Sequence, residues 1–187
     1  YLDRWAAGVV SLFIFWSGGN LLWLAEPGEQ QGLEPLLQAL GLRLLPGLVV
    51  DANVRALGID DPSFALVSRY PEHPLTEGLQ SASLFPKAVA LEAQPAGDWQ
   101  ASPVLQTLEA SWNETGPLRG EIRREPEAGE RAGPLTLGLV LTRPNPSGDG
   151  PEQRLAIVGD GDFLSNAYLG NAGNLELGLR LLRWLSR

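Results

Sequence analysis

The chain has 187 residues, 44% hydrophobic and 19% charged, which is enough for one globular domain with a real core and too short to require two. Its net charge of -8 excludes the basic surface that nucleic-acid phosphates need. It has no cysteine and a single histidine, His73, so disulfides, thiol nucleophiles, Cys-ligated zinc and multi-histidine metal centres are excluded as well.

The chain begins at Tyr1 without an initiator methionine, and is read as a piece of a longer protein that folds as a single α/β domain over residues 1–187. Trp5 to Ala25 carries no charged residue, which meets the length criterion for a membrane span. Ser17-Gly18-Gly19-Asn20 divides it with a turn signal. Val9 to Trp16 then has about half of the roughly 20 residues a span needs. The reading is a buried helix or strand, a turn, and a strand at Leu21 to Leu24, with a membrane segment as the alternative. Leu33, Leu36, Leu37 and Leu40 lie at helical spacing, and Gly41 falls where a C-terminal cap belongs. Leu44 to Val50, interrupted by Pro46-Gly47, is a short strand or extended loop.

Phe64 to Ser68 reads as the next strand. His73 follows between Pro71 and Pro74, on a loop that the two prolines force into an extended path. Ala88 to Leu91 and Thr107 to Trp112 are further strand candidates. Residues 119–133 carry charges of both signs with Gly and Pro, and predict a solvated loop or mobile hairpin. Leu135 to Leu141 returns to strand, and Pro144 to Pro151 is a Pro/Gly-rich tip. The apolar run Leu155 to Val158 predicts a buried parallel strand that delivers Gly159-Asp160-Gly161-Asp162. Asn174 is a natural N-cap for a last helix, in which Leu175, Leu179, Leu181, Leu182, Trp184 and Leu185 form a broad apolar face. Helices at both ends and a strand-rich middle imply an α/β sandwich with a mostly parallel central sheet and antiparallel additions.

The densest polar stretch follows that buried strand, where open α/β sheets place ligands. Asp160 and Asp162 can hold a hard cation or, alternatively, cap the turn after the strand together with Ser165. Asn166, Asn171 and Asn174 offer amides suited to sugar hydroxyls and equally to loop caps. His73 is a candidate acid, base or ligand contact, but a packed loop histidine bonded to backbone explains it more simply. Trp23 and Trp184 fit core patterns, whereas Trp99 and Trp112 are the surface candidates for stacking. Asn113-Glu114-Thr115 matches a glycosylation triplet.

Four segments together carry a family likeness: Gly18 to Leu24, Tyr70 to Thr76, Ser111 to Glu114, and Gly159 to Asn166 with Asn171, Asn174 and Trp184-Leu185 behind it. From about Gly18 to the C-terminus the chain resembles the extracytoplasmic domain of GldG-type auxiliary proteins of ABC transporters, a gliding-motility family. That family is itself similar to class I glutamine amidotransferases and to a domain of intraflagellar transport proteins. The resemblance implies a flavodoxin-like, class I glutamine amidotransferase-like three-layer fold without amidotransferase activity, cofactor or metal. It implies an extracytoplasmic (periplasmic) domain anchored to the inner membrane through a segment outside residues 1–187. Permease and ATPase subunits are the implied partners, and a carbohydrate or polymer the implied ligand, with Asp160, Asp162, Ser165, Asn166, Asn171, Asn174, His73 and Trp112 as candidate contacts. The alternatives are a metal-dependent hydrolase using Asp160 and Asp162, or a purely structural assembly domain. Residues 1–16 depart from the family pattern, Ala6 to Trp16 being almost wholly apolar; either this stretch is buried, as a homodimer would allow, or it is unrelated to the family pattern.

Overall fold

The computed structural model describes residues 18–146, 148 and 150–186. The apolar run Val9–Trp16 lies outside the described residues. Among those described, no helix is long and apolar enough to cross a membrane.

In chain order the elements are β1 (Leu21–Leu24), α1 (Glu34–Leu40), β2 (Leu42–Leu44), β3 (Leu48–Asp51), β4 (Phe64–Val67), β5 (Ser83–Pro86), β6 (Leu91–Ala93), β7 (Gln100–Gln106), β8 (Ser111–Glu114), β9 (Thr136–Arg143), β10 (Gln153–Val158) and α2 (Asn174–Leu185). Single 3₁₀ stretches occur at Ala52–Leu57, Pro126–Ala128 and Asp162–Leu164. The largest sheet has the order β1-β10-β9-β7, and the pairs β2–β6, β3–β8 and β4–β5 form separate ladders. The α/β class is as expected, but the sheet is not mostly parallel. Among the described strands only β1 and β10 pair in parallel, from Leu21 opposite Leu155 to Leu24 opposite Val158. Every other pairing is antiparallel. The physical reason is connection type. A parallel pair needs a long crossover, usually helical, and between α1 and α2 the chain supplies only turns and short 3₁₀ segments.

Alternation along β10 sorts the core onto two faces. Leu155 and Ile157 join Trp23, Leu139, Leu141 and the α1 leucines Leu36, Leu37 and Leu40. Ala156 and Val158 join Val140 and the α2 residues Leu177, Leu181 and Trp184, with Leu22 and Leu24 packed against them. The two helices therefore cover opposite faces of β1 and β10, as a period of two requires. Gly41 ends α1 in the left-handed region, at φ 67°. A Cβ there would stand 1.9 Å from the Gln94 carbonyl oxygen, so only glycine fits.

The expected strand at Ala88–Leu91 is a stitch between ladders. Its Val89 N–H donates to the Gly159 carbonyl (2.7 Å), while Ala88 and Ala90 carbonyls accept from Val49 and Leu45 N–H groups (2.8 Å each). Only Leu91 of that run belongs to β6. The expected strand at Thr107–Trp112 begins instead at Ser111, because the Thr107 side chain closes a turn on Ser111 Oγ (2.7 Å).

The last helix departs from its predicted face. Leu177, Leu181 and Trp184 are buried, but Leu175, Leu179 and Leu182 are 51%, 45% and 54% exposed. One helix surface can meet one sheet only, and the ridge at 177, 181 and 184 is the one turned inward.

Residues 119–129 face solvent apart from half-buried Ile122, as expected of a solvated loop, but the residue that follows does not. Glu130 is 4% exposed. Its Oε1 accepts the Thr115 N–H (2.8 Å) and hydroxyl (3.0 Å), and its Oε2 accepts the Glu125 N–H (2.6 Å). Burial alone would raise its pKa. The bonds from Glu125, Thr115 and Glu114 outweigh that and hold it below the ordinary 4.5. A lowered carboxyl pKa contributes stability that is present above the unfolded value and is lost as pH falls through the folded one. We expect Glu130→Gln to cost about 1–3 kcal/mol, and the gap to the unmodified chain to shrink below about pH 4. Urea unfolding at pH 7 and pH 3.5 measures both; an unchanged midpoint at pH 7 would refute the anchoring role.

Candidate functional site

The Gly159–Asn174 corner is built where β10 leaves the sheet. Gly159 donates its N–H to the Leu137 carbonyl (2.8 Å) and accepts from Val89 N–H (2.7 Å). A Cβ there would lie 2.0 Å from the Val89 carbonyl oxygen, so the close backbone approach requires glycine. Asp160 follows, 1% exposed. Its Oδ1 accepts the N–H groups of Asp162 (2.7 Å) and Phe163 (3.1 Å), capping the 3₁₀ turn. Its Oδ2 is buried and meets no hydrogen-bond partner among the described residues. Burial, opposed by those two amide bonds and assisted by the nearby Glu26 and Asp162 charges, pushes the Asp160 carboxyl up to about 8. It is therefore largely protonated at neutral pH.

Asn174 is not the predicted N-cap. Gly173 precedes the helix, and no side chain caps that end. Asn174 is instead wholly buried and bridges three segments. Its Oδ1 accepts Leu84 N–H (2.9 Å), and its Nδ2 donates to the carbonyls of Leu84 (2.9 Å), Tyr168 (3.1 Å) and Phe163 (3.3 Å). An amide can satisfy a strand edge and two turn carbonyls at once because it both donates and accepts. Around this buried pair, Asp162, Ser165 and Asn171 are half-buried and Asn166 is exposed. The backbone carbonyls of Asp162, Ser165 and Asn171 close turns onto Ser165, Tyr168, Leu169 and Asn174 N–H groups. Among the described residues no group of three or more His, Asp or Glu is placed to hold a metal ion.

The two remaining candidates stand elsewhere. His73 lines a cavity of about 670 Å³ with Tyr70, Glu72, Pro74, Glu77 and Leu79. Its Nδ1 accepts the Leu75 N–H (3.1 Å), which leaves Nε2 to carry the proton. Its ring meets Trp184 edge-on at 5.7 Å, and the Arg154 guanidinium lies 5.1 Å from the same indole. Burial first, and the Arg154 charge second, hold the His73 pKa below 6.5. A neutral ring packed on tryptophan suits a loop anchor.

Trp112 is half-buried on β8, and its Nε1 donates to Glu114 Oε2 (3.0 Å). It lines a cavity of about 510 Å³ with Arg55, Asp60, Ile122 and Arg123. Sequence reasoning missed those partners: Asp60 lies far from Trp112 along the chain, and Arg123 sits in the stretch read as solvated. Trp99, the other surface candidate, is 5% exposed and lies under Arg143 at 4.6 Å. Asn113 is 1% exposed. Its amide donates to the Pro46 carbonyl (3.0 Å) and accepts Arg131 N–H (2.6 Å), so the glycosylation triplet is engaged in the fold. Thus Asp160 and Asn174 meet inside one corner, while His73 and Trp112 each line a separate cavity.

The family described as an ABC-type uncharacterized transport system matches residues 15–181, and the chain belongs to that family of transport auxiliary proteins. Among solved structures, the chain is similar to one titled mmIFT52 N-terminal domain, at 20% identity and TM-score 0.65, over 97% of this chain and 71% of that one. That likeness shows the fold. No curated protein matches the chain.

Two outcomes test the corner. Asn174→Ala strands one N–H and three carbonyls, and is expected to cost at least about 3 kcal/mol, or about 6–12 °C in Tm; a variant as stable as the parent would contradict the bridging role. Asp160 has its folded pKa raised far above its unfolded value. Its contribution is therefore greatest at low pH and is lost as pH climbs from about 4 to about 8. The D160N variant keeps the Oδ1 acceptor and cannot ionise, so its Tm relative to the unmodified chain is expected to rise across that window by at least about 2–4 °C. A constant difference between the two would show that Asp160 is ionised in the fold.

Proposed function

We propose that the domain is a non-catalytic, extracytoplasmic ligand-binding module of an ABC transport system. It is held at the inner membrane through a segment outside residues 1–187 and works beside permease and ATPase subunits. Within the family it corresponds to the GldG-type branch linked to gliding motility, with a flavodoxin-like, class I glutamine amidotransferase-like three-layer arrangement. Membership of the transport family supports this reading. So do the helices on opposite faces of β1 and β10.

The observation that carries the ligand-binding part is the Trp112 cavity. An indole pinned by Glu114 is a rigid apolar platform, and Asp60, Arg55 and Arg123 around it offer acceptors and donors at fixed places. A flat apolar face ringed by charged hydrogen-bonding groups is the chemistry that holds a sugar ring or a hydroxyl-rich polymer. The Gly159–Asn174 corner contributes less to this role. Its Asp160 Oδ1 and the whole Asn174 amide are already engaged inside the fold, which favours the structural reading for those two residues. Asp162, Ser165, Asn166 and Asn171 remain a rim available to a ligand or a partner subunit, and His73 a candidate at its own cavity.

Titration of the full chain with a panel of glycans and anionic polysaccharides, followed by tryptophan fluorescence and calorimetry, tests the assignment. Trp112→Ala is expected to weaken binding at least about tenfold, or 1.4 kcal/mol, while Asn166→Ala leaves it within about twofold. Absence of any glycan or polymer binding by the unmodified chain would end the ligand-binding reading. Equal binding by Trp112→Ala would move the site away from this cavity.

A further inference from the structure

Among the described strands, β6 pairs only with β2, and the register sets Glu92 opposite Arg43. Leu45 N–H donates to the Ala90 carbonyl (2.8 Å) and Gln94 N–H to the Gly41 carbonyl (2.7 Å), which continues the ladder at both ends. Backbone groups alternate between the two sides of an antiparallel strand. Those of Leu91 and Ala93 therefore point away from β2. On that side Val89 N–H meets the Gly159 carbonyl (2.7 Å), but β10 ends at Val158. No described strand lies beside Leu91 and Ala93. An unpaired strand edge is a template for one more strand.

A groove of about 500 Å³ lies along this edge. Residues 91–95 all line it, and five extended residues span about 16 Å. Ala101, Pro103 and Leu139 supply an apolar floor, with Ala101 half-buried and Pro103 exposed. Strand β7 is also an edge, but Pro103 has no N–H to give, so β6 is the better template. Among the described residues, the ionisable side chains lining the groove are Arg43, Glu92 and Arg131. Glu92 Oε2 accepts from Arg43 Nε (3.1 Å) and Nη2, and its Oε1 pairs with Arg131. One carboxylate thus serves two guanidiniums, and the rim is net positive on a chain whose net charge is -8. An acidic partner is repelled by the chain as a whole and drawn to this rim. A single excess positive charge suits one carboxylate and not a polyanion such as nucleic acid.

We propose that this groove docks an extended, acidic peptide segment of a partner protein. The segment pairs with the β6 edge at Ala93 and sets a carboxylate at the Arg43–Arg131 rim. Alternation along a strand serves both needs, because apolar residues face the floor while those between them face the rim. The groove shares no lining residue with the Trp112 cavity, so the proposal is independent of the ligand assigned there.

The full chain is screened on an array of N-acetylated heptapeptides. They carry valine, leucine or threonine at alternate positions and glutamate, glutamine or lysine at the centre. The strongest binder is then titrated by fluorescence anisotropy. Glutamate peptides are expected to bind at least about tenfold more tightly than their lysine counterparts, and Arg131→Gln to abolish that preference. N-methylation of alternate peptide amides is expected to weaken binding at least about tenfold. Ala93→Pro removes the outward N–H while sparing the β2 ladder, and is expected to weaken binding to the same extent. Circular dichroism and melting verify each variant, and N-methylation leaves the protein untouched, so it decides the question where a variant unfolds. Trp112→Ala is expected to leave peptide binding within about twofold. Binding by no glutamate peptide, or equal binding by the lysine series, would overturn the proposal. Binding that ignores N-methylation and is displaced by succinate would overturn it in favour of a small-carboxylate site. Loss of binding in Trp112→Ala would overturn it by placing the peptide in the other cavity.

Discussion

The structure depends on how buried polar groups are satisfied where β10 leaves the sheet. A buried amide or carboxyl without partners costs more than a good hydrogen bond returns. The corner meets this constraint through one side chain: Asn174 supplies the acceptor for Leu84 N–H and donors for three carbonyls on β5 and the two turns before α2. Gly159 brings the Val89 stitch into contact with the end of the strand, and Asp160 closes the first turn. Without Asn174, β5, the 3₁₀ turn and the start of α2 would have no common anchor. The position of α2, and with it one half of the core, follows from these contacts.

That arrangement shows why polar density alone does not mark a site. Asp, Asn and Gly cluster where a chain must turn sharply with its backbone out of reach of water, and the same residues cluster around ligands. Burial separates the two cases. Asp160 and Asn174 are 1% and 0% exposed, so most of their hydrogen-bonding capacity is spent within the chain. Trp112 shows the reverse: it lies in an unremarkable strand, but the fold brings Arg55, Asp60 and Arg123 beside it from two other segments. Site geometry made of distant segments leaves no local pattern to read.

Local patterns were legible wherever one surface decided the outcome. The spacing of Leu33, Leu36, Leu37 and Leu40 marks α1, the glycine at 41 marks its end, and the run Leu155–Val158 marks a buried strand. Strand direction was not legible, because it depends on connection geometry rather than on side-chain order: Leu155–Val158 pairs in parallel with β1 on one side and antiparallel with β9 on the other. The charged stretch 119–133 reads as solvent-facing by composition, yet one carboxylate, Glu130, is drawn inside by three donors. Periodicity also could not rank the apolar ridges of α2. Leu175, Leu179 and Leu182 are as regular as Leu177, Leu181 and Trp184, and only the sheet's position decides which set is buried.

A helix with apolar residues on two sides belongs between two neighbours. On one side α2 has its neighbour in β1 and β10, whose Leu22, Leu24, Ala156 and Val158 meet Leu177, Leu181 and Trp184. On the other side the described residues leave leucine facing outward, at the end of the domain where the chain enters through Gly18, Gly19 and Asn20. The Trp112 cavity involves neither α2 nor that entry, since its walls come from β3, the segment after it, β8 and the loop carrying Arg123. The two surfaces share no residue. Their separation allows either to change without disturbing the other.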